Sequence, residues 1–201
     1  SPQTAHGIGR MGIHGVTLAN NHIMDHGPEG LDSTVRALQS AGIQYFGAGA
    51  NLAEASAPLT WSNGSEKCFI WGFAEHEYSI ADTDKPGAAP ADLIAIIRAL
   101  KSKPSDIPAI VLLHAGNEHY PYPSPWLQDR CRLMIELGAT AVICQHTHCI
   151  GSYETWNQGL IVYGQGNFFF DYPSNQPTWH QGLLIEINLS GPMLESFQFI
   201  P

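Results

Sequence analysis

Acidic residues are missing from the first 24 positions of this 201-residue chain; the first is Asp25. Basic residues are scarce throughout, nine Lys and Arg against eighteen Asp and Glu, for a formal net charge of −9. That balance excludes a phosphate-neutralising surface, so no nucleic-acid partner is expected. No apolar run approaches the ~20 residues that a membrane-spanning helix needs. Internal repeats, low-complexity tracts and a dividing linker are also lacking. Residues 1–201 therefore read as one domain, long enough to bury a full core. No leader-like segment opens the chain, which starts inside a polar Gly/His stretch; the expectation is that upstream sequence has been removed. Cysteine is sparse as well. Cys68 and Cys144 fall in strand-like apolar runs and Cys131 on a helix face, so they read as free buried hydrophobes rather than disulfides. Cys149 follows His148 directly, but a ligand role is the weaker reading of it.

The elements that the sequence does show come in a regular order. Residues 28–41 have helical spacing, with Leu31, Val35 and Leu38 on one face and Gly42 as the stop. Residues 43–46 form a short strand. Asn51 and Glu54 make a capping pair for a short helix that ends before Pro58. Residues 59–61 and 67–73 pair as a hairpin about Asn63-Gly64. A helix comes after the polar stretch 82–90, with Leu93, Ile96, Ile97 and Leu100 on one face. Another carries Leu127, Cys131, Met134 and Ile135 and stops at Gly138. The last third is mostly β: residues 152–156 pair with 160–163, residues 168–171 come after a Gly-Asn corner, and Leu183, Ile185, Ile187 and Leu189 alternate. Strands alternating with helices early and hairpins late predict an α/β fold, a mixed sheet sandwich flanked by helices.

Three apolar runs stand out because each ends in polar groups of the same chemistry. Residues 15–18 lead into Ala19-Asn20-Asn21-His22, residues 109–113 into His114, and residues 141–144 into Gln145-His146-Thr147-His148. Buried strands that discharge imidazole and amide groups at their carboxyl ends share one rim of a sheet. Neutral imidazole and amide oxygen are donors for a divalent transition metal, so these residues predict a metal site. In a His-x-His pair on an extended segment, next-but-one side chains project to the same side, which would aim His146 and His148 at one point.

The segment Leu18-Ala19-Asn20-Asn21-His22-Ile23-Met24-Asp25-His26-Gly27, with Gly30-Leu31 after it, resembles a signature block of the bacterial capsule-synthesis, or poly-γ-glutamate-synthesis, family. The resemblance continues through Gly47-Ala48-Gly49-Ala50-Asn51 with Glu54-Ala55 and Pro58, then Leu113-His114-Ala115-Gly116-Asn117-Glu118. It resumes in Gln145-His146-Thr147-His148 and in Tyr163-Gly164-Gln165-Gly166-Asn167-Phe168-Phe169-Phe170-Asp171. Five blocks in order span nearly the whole chain. The family belongs to the calcineurin-like metallophosphoesterase superfamily, which implies a β-sandwich with helices on both outer sides (αββα).

The resemblance also implies roles. Asn21, His114, His146 and His148 would bind metal, one or two divalent ions of Mn, Fe or Zn. His22 would stay outside the metal shell as the catalytic residue that protonates a leaving group, a task suited to an unperturbed pKa of ~6.5. Gln145 replaces a glycine of the superfamily motif, at a position that shapes a turn. The superfamily's acidic metal-binding blocks precede the Asn-His motif, and no counterpart exists in the acid-free stretch before Asn21. The expectation is a domain without its first strands, with half a metal site that is empty or weakly occupied. A gap in the sheet would then invite self-association or a swapped segment.

Blander readings stand beside these. Asn21 and His22 could simply stabilise a strand-to-loop corner. Glu118 reads equally as a ligand or as a solvated loop carboxylate. Asn167 and Asp171 read first as a structural corner near the site, with ligation second. His6, His14, His26, His76, His119 and His180 read as surface or loop residues, and Tyr120-Pro121-Tyr122-Pro123 as a rigid loop. The functional expectation is a metal-dependent hydrolase of phosphoester or related bonds, with a small-molecule or polymer substrate, in capsule or poly-γ-glutamate biosynthesis. The alternative is a non-catalytic accessory protein that binds a polyanionic polymer or a partner protein of capsule assembly. A bacterial cell-envelope or extracytoplasmic location is implied by the family alone.

Overall fold

The computed structural model describes residues 1–76, 79–170 and 173–201. In chain order the elements are α1 (Pro2–Arg10), β1 (Gly15–Thr17), α2 (Gly27–Ser40), β2 (Gln44–Phe46), β3 (Ala48–Gly49), α3 (Leu52–Ala55), β4 (Leu59–Asn63), β5 (Glu66–Ala74), β6 (Gly87–Ala88), α4 (Leu93–Ser102), β7 (Ala109–His114), α5 (Pro125–Glu136), β8 (Ala141–Gln145), β9 (Tyr153–Trp156), β10 (Gly159–Val162), a 3-10 turn (Pro177–His180), β11 (Leu184–Ser190) and β12 (Met193–Ile200).

A six-stranded sheet in the order β4-β5-β7-β8-β10-β9 forms the centre. Its four inner strands run parallel, and each edge strand is added antiparallel through a tight hairpin. The β9–β10 turn holds Asn157 and Gln158 at φ of 45° and 68°, both left-handed, which matches the twist of a two-residue hairpin loop. Parallel strands are buried on both faces and so read as continuous apolar runs. Alternation divides those runs. Trp71, Phe73, Val111, Leu113, Val142 and Cys144 face α4 and α5, where Ile96, Leu100, Leu127, Cys131 and Met134 cover them. Ile110, Leu112, Ile143, Leu160 and Val162 face the other way, against Ile185, Ile187, Leu194, Phe197 and Phe199.

Three two-stranded sheets accompany the central one among the described residues: the parallel pair β1-β2 and the antiparallel pairs β11-β12 and β3-β6. The first pair is covered by α1 and α2 through Ala5, Leu18, Leu31, Leu38 and Ile43. Helix, sheet, sheet and helix thus stack as four layers, the α/β sandwich expected from the sequence. Between β1 and β11 runs an open groove of about 500 Å³, floored by Ile70, Ile110, Leu112 and Ile143 and ending beside Gln145 and Gln165.

Four elements depart from the sequence reading. The first is a strand that does not form: residues 168–170, read with the β-rich last third, run as a bend with no sheet partner among the described residues. α1 forms where the sequence shows only a polar Gly/His stretch: Ser1 Oγ accepts from Thr4 N–H, Pro2 opens the first turn, and Ala5 is buried on the α2 side. β12 has no counterpart in the sequence reading, yet its Leu194, Phe197 and Phe199 complete the hairpin face. On α4 only Ile96 and Leu100 are buried, while Leu93 and Ile97 are exposed, because the helix rests on that one seam. The four cysteines are free and buried, as expected, with Cys131 Sγ and Cys144 Sγ 3.6 Å apart.

Gly72 lets the layers meet. A Cβ there would collide with Thr17 Oγ1 and come within 3.2 Å of the Ala19 side chain. Only a bare backbone lets β1 and the loop after it settle on the end of β5. Gly72→Val should therefore destabilise the fold by about 1–3 kcal/mol, the range for overpacking a tight site. Chemical denaturation measures this, and an unchanged midpoint would mean that the layers do not touch there.

Candidate metal centre

Register sets the rim. Ala74 lies opposite His114 and His114 opposite Gln145, so β5, β7 and β8 end level. His114 is the last residue of β7 and is half-buried. Asn21 arrives from the second layer, in the turn after β1, where Ser79 Oγ donates to the Asn21 carbonyl. The two meet, with His114 Nε2 3.0 Å from Asn21 Oδ1. His146 joins them, its ring centre 4.7 Å from that of His114.

His148 is on the same rim but turns another way. Its Nδ1 is 2.9 Å from Asn167 Oδ1, and its ring stacks on Trp179 at 4.7 Å and 27°. The backbone explains the split. His146 and His148 lie in a bend with φ of 107° and 53°, not on the extended segment that the sequence suggested. A φ of 107° is a strained value for a side chain of this size, of the kind that accumulates at functional sites. Thr147 between them is buried, its Oγ1 donating to the Cys149 carbonyl.

Asn167 settles the His148 tautomer. Its Nδ2 donates to the Trp179 carbonyl at 2.8 Å, which leaves Oδ1 facing the imidazole. An amide oxygen only accepts, so His148 Nδ1 carries the proton and Nε2 keeps its lone pair. Such an outer partner fixes a ligand histidine in the binding tautomer. Asn167 thus stands behind His148 as an orienting group. Asp171 lies outside the described residues. Glu118 is exposed and approaches the neighbouring His119, at 4.0 Å. His119, read as a loop residue, is exposed but sets its ring 6.1 Å from that of His148 and 5.7 Å from Trp179. Sequence reasoning also missed Trp179, whose only signal was an aromatic next to His180. Glu75 was missed too; its carboxylate accepts from Gly116 N–H and fixes the loop after His114.

His22 is exposed at the edge of this group, with Nδ1 2.9 Å from Asp25 Oδ2. It lies near enough that, with His146 and His148, it adds an electrostatic penalty on a charged His114 to that of burial. Burial is the larger cause, and together they hold the His114 pKa down at about 3. His114 is therefore a neutral imidazole throughout the physiological range.

These groups are the right types for a divalent transition ion: an amide oxygen and neutral imidazole nitrogens. They are also an incomplete set. Among the described residues, no three His, Cys, Asp or Glu side chains are grouped so that they could hold a metal ion. The residues present fit part of a ligand shell, and no catalytic step can be routed through a metal on them alone.

The His114 shift has a measurable sign. A histidine depressed from ~6.5 in the unfolded chain to about 3 in the fold favours the native state above the unfolded value. That contribution is lost progressively as pH falls from ~6.5 towards about 3. An NMR titration should show the His114 ring signals flat from neutral pH down to about pH 5. An inflection near the ordinary value would show a solvated ring.

Comparison with known proteins bears on the chain as a whole. Residues 1–172 match the family model described as "Bacterial capsule synthesis protein PGA_cap". The chain is 28% identical to the capsule biosynthesis protein CapA of Bacillus anthracis, over 84% of this chain and 43% of that protein. It is 31% identical to the PGA biosynthesis protein CapA of Bacillus subtilis (strain 168), over 76% and 41%. Against a probable polyglutamine synthesis accessory protein of Mycobacterium tuberculosis (strain ATCC 25618 / H37Rv) identity is 33%, over 79% and 46%. The chain thus spans less than half the length of each of these relatives. The crystal structure of the Thermus thermophilus protein TT1561 overlays with a TM-score of 0.49 at 15% identity, covering 81% of each chain. With the family model matched over most of its length, the chain belongs to the PGA_cap family of bacterial capsule synthesis proteins.

Proposed function

We propose that this chain supplies the uncharged half of a metal-dependent hydrolase centre, acting on phosphoester or related bonds in capsule or poly-γ-glutamate biosynthesis. The observation that carries the reading is the meeting of Asn21 Oδ1 with His114 Nε2 and the His146 ring at level strand ends. A half-buried histidine kept neutral and a second one in the Nδ1–H tautomer support it; a bound metal would take Asn21 Oδ1 and His114 Nε2 in place of their mutual hydrogen bond. When bound, divalent ions of the Mn, Fe or Zn class would polarise the scissile bond and lower the pKa of a bound water. The chain's own residues would hold the ions through Asn21, His114, His146 and His148, orient His148 through Asn167, and deliver a proton to the leaving oxygen from His22.

A second reading has its own support. Among the described residues no three His, Cys, Asp or Glu side chains are grouped to hold a metal ion, and one relative is named a probable accessory protein. On that reading the domain is non-catalytic and binds a partner of capsule assembly. The net charge of −9 favours a partner protein over a polyanionic polymer, which it would repel.

Elemental analysis after manganese loading separates the two when paired with hydrolysis of bis-p-nitrophenyl phosphate. We expect fewer than two ions per chain, lost on His146→Ala or His148→Ala. His22→Ala should keep the metal and lower turnover ~10²–10⁴-fold, the usual worth of a general acid. Metal-independent behaviour with no turnover would favour the accessory reading. Loss of metal in His22→Ala would overturn its placement outside the ligand shell.

A further inference from the structure

A pocket of about 320 Å³ opens on the helix side of the central sheet. It takes in Glu75 and His76 after β5, Ala91 and Asp92 before α4, and Trp126 and Arg130 of α5. Arg130 is fixed there from two directions. Its Nη1 donates to the Ala91 carbonyl at 2.7 Å, and its Cζ lies 4.3 Å from the centre of the Trp126 ring, one helical turn back. Ala91 is itself tied to β5, its N–H donating to the Ala74 carbonyl at 2.7 Å. The rest of the guanidinium fork stays open, and no carboxylate among the described residues pairs with it. Glu75 is half-buried and pairs with no cation among those residues either. Its Oε2 accepts from Gly116 N–H at 3.1 Å, which leaves Oε1 for another donor. The chain has eighteen acidic residues for nine basic ones, yet this arginine lines a pocket with two carboxylates and pairs with neither. Opposite charges that face one space from separate anchors select a ligand that carries both signs itself.

We propose that this pocket binds a free α-amino acid, its carboxylate on the Arg130 fork, its ammonium on Glu75 and Asp92, and its side chain on the open face of Trp126. A guanidinium held in place by a carbonyl and an indole is preorganised for a carboxylate, which it can meet with two parallel bonds. Asp92 is placed for the ammonium. It stands at the N-cap of α4, but its side chain makes no cap bond and turns to His76, with Oδ1 3.0 Å from Nε2, so Oδ2 remains. A simple anion would meet two carboxylates here, and a simple cation would meet Arg130; each leaves a charge opposed. Trp126 is exposed, with one face under Arg130 and the other available to an apolar side chain. None of the lining residues belongs to the cluster around His114, so binding here does not depend on the hydrolase reading. Glu75 still reaches the loop after His114 through Gly116, whose amide therefore reports occupancy.

Titrations followed by ¹H–¹⁵N spectra test this with probes of one carbon skeleton: L-leucine, isoamylamine (ammonium only) and isocaproate (carboxylate only). Leucine should shift the Trp126 indole and Gly116 amide signals saturably. Each half-charged analogue should bind at least about tenfold more weakly, the worth of one charge-assisted hydrogen bond. Arg130→Met should bring leucine down to the level of the amine. Glu75→Gln keeps an acceptor for Gly116 N–H; it should weaken leucine and leave isocaproate no weaker. Equal affinity for leucine and either analogue overturns the proposal. So does the lack of a saturable leucine shift at about 20 mM, beyond the millimolar affinity of even a weak small-ligand site. Both of these outcomes are read on the unaltered chain, and they decide the matter even where a variant fails to fold.

Discussion

The candidate site depends on a single register. β5, β7 and β8 are parallel and in step, so Ala74, His114 and Gln145 end at one level. Parallel strands send every carboxyl end the same way, and the loops after them have one rim to share. A slip of one residue would also exchange the two faces of each strand. Val111, Leu113, Val142 and Cys144 would then leave the helix-side core, and Ile110, Leu112 and Ile143 would enter it. The hydrophobic effect acting on those side chains fixes the position of a polar group that none of them touches. His114 stands where it does because the five residues before it alternate between two cores.

Burial then determines what kind of group His114 is. Taking an imidazole from water penalises its charged form, and three neighbouring histidines add like-charge repulsion in the same direction. Among the described residues no carboxylate in the cluster opposes either effect. The same lack that keeps the ring neutral keeps the ligand shell incomplete: a nearby Asp would favour both protonation and cation binding. The depressed histidine and the lack of an opposing carboxylate among the causes of its shift are therefore one observation.

Most of the central sheet was legible because its strands are long apolar runs between clear stops, and amphipathic spacing marks α2 and α5 just as plainly. The residues of the rim were legible for the same reason, as the first polar groups after those runs. Their directions were not. Period-two alternation holds only where the backbone is extended, and His146 and His148 sit in a bend with positive φ, so one turns to His114 and the other to Trp179. Trp179 comes from a 3-10 turn far along the chain, and no local pattern marks such a contact. α1 escaped because Gly7 and Gly9 weaken its propensity, while Ser1, Pro2 and its packing on α2 supply what the sequence average hides.

The cluster is also a junction between two packing units of unequal size. His114, His146 and His148 hang from the six-stranded sheet, backed by the largest core. Asn21 and His22 hang from β1-β2 with α1 and α2, a smaller core that ends at an open groove. The units are joined near the site by the Gly72–Thr17 approach, the Ser79–Asn21 hydrogen bond and the Asn21–His114 contact. Local opening draws first on the unit with less buried apolar surface, so Asn21 and His22 are expected to loosen before the three histidines of the large sheet.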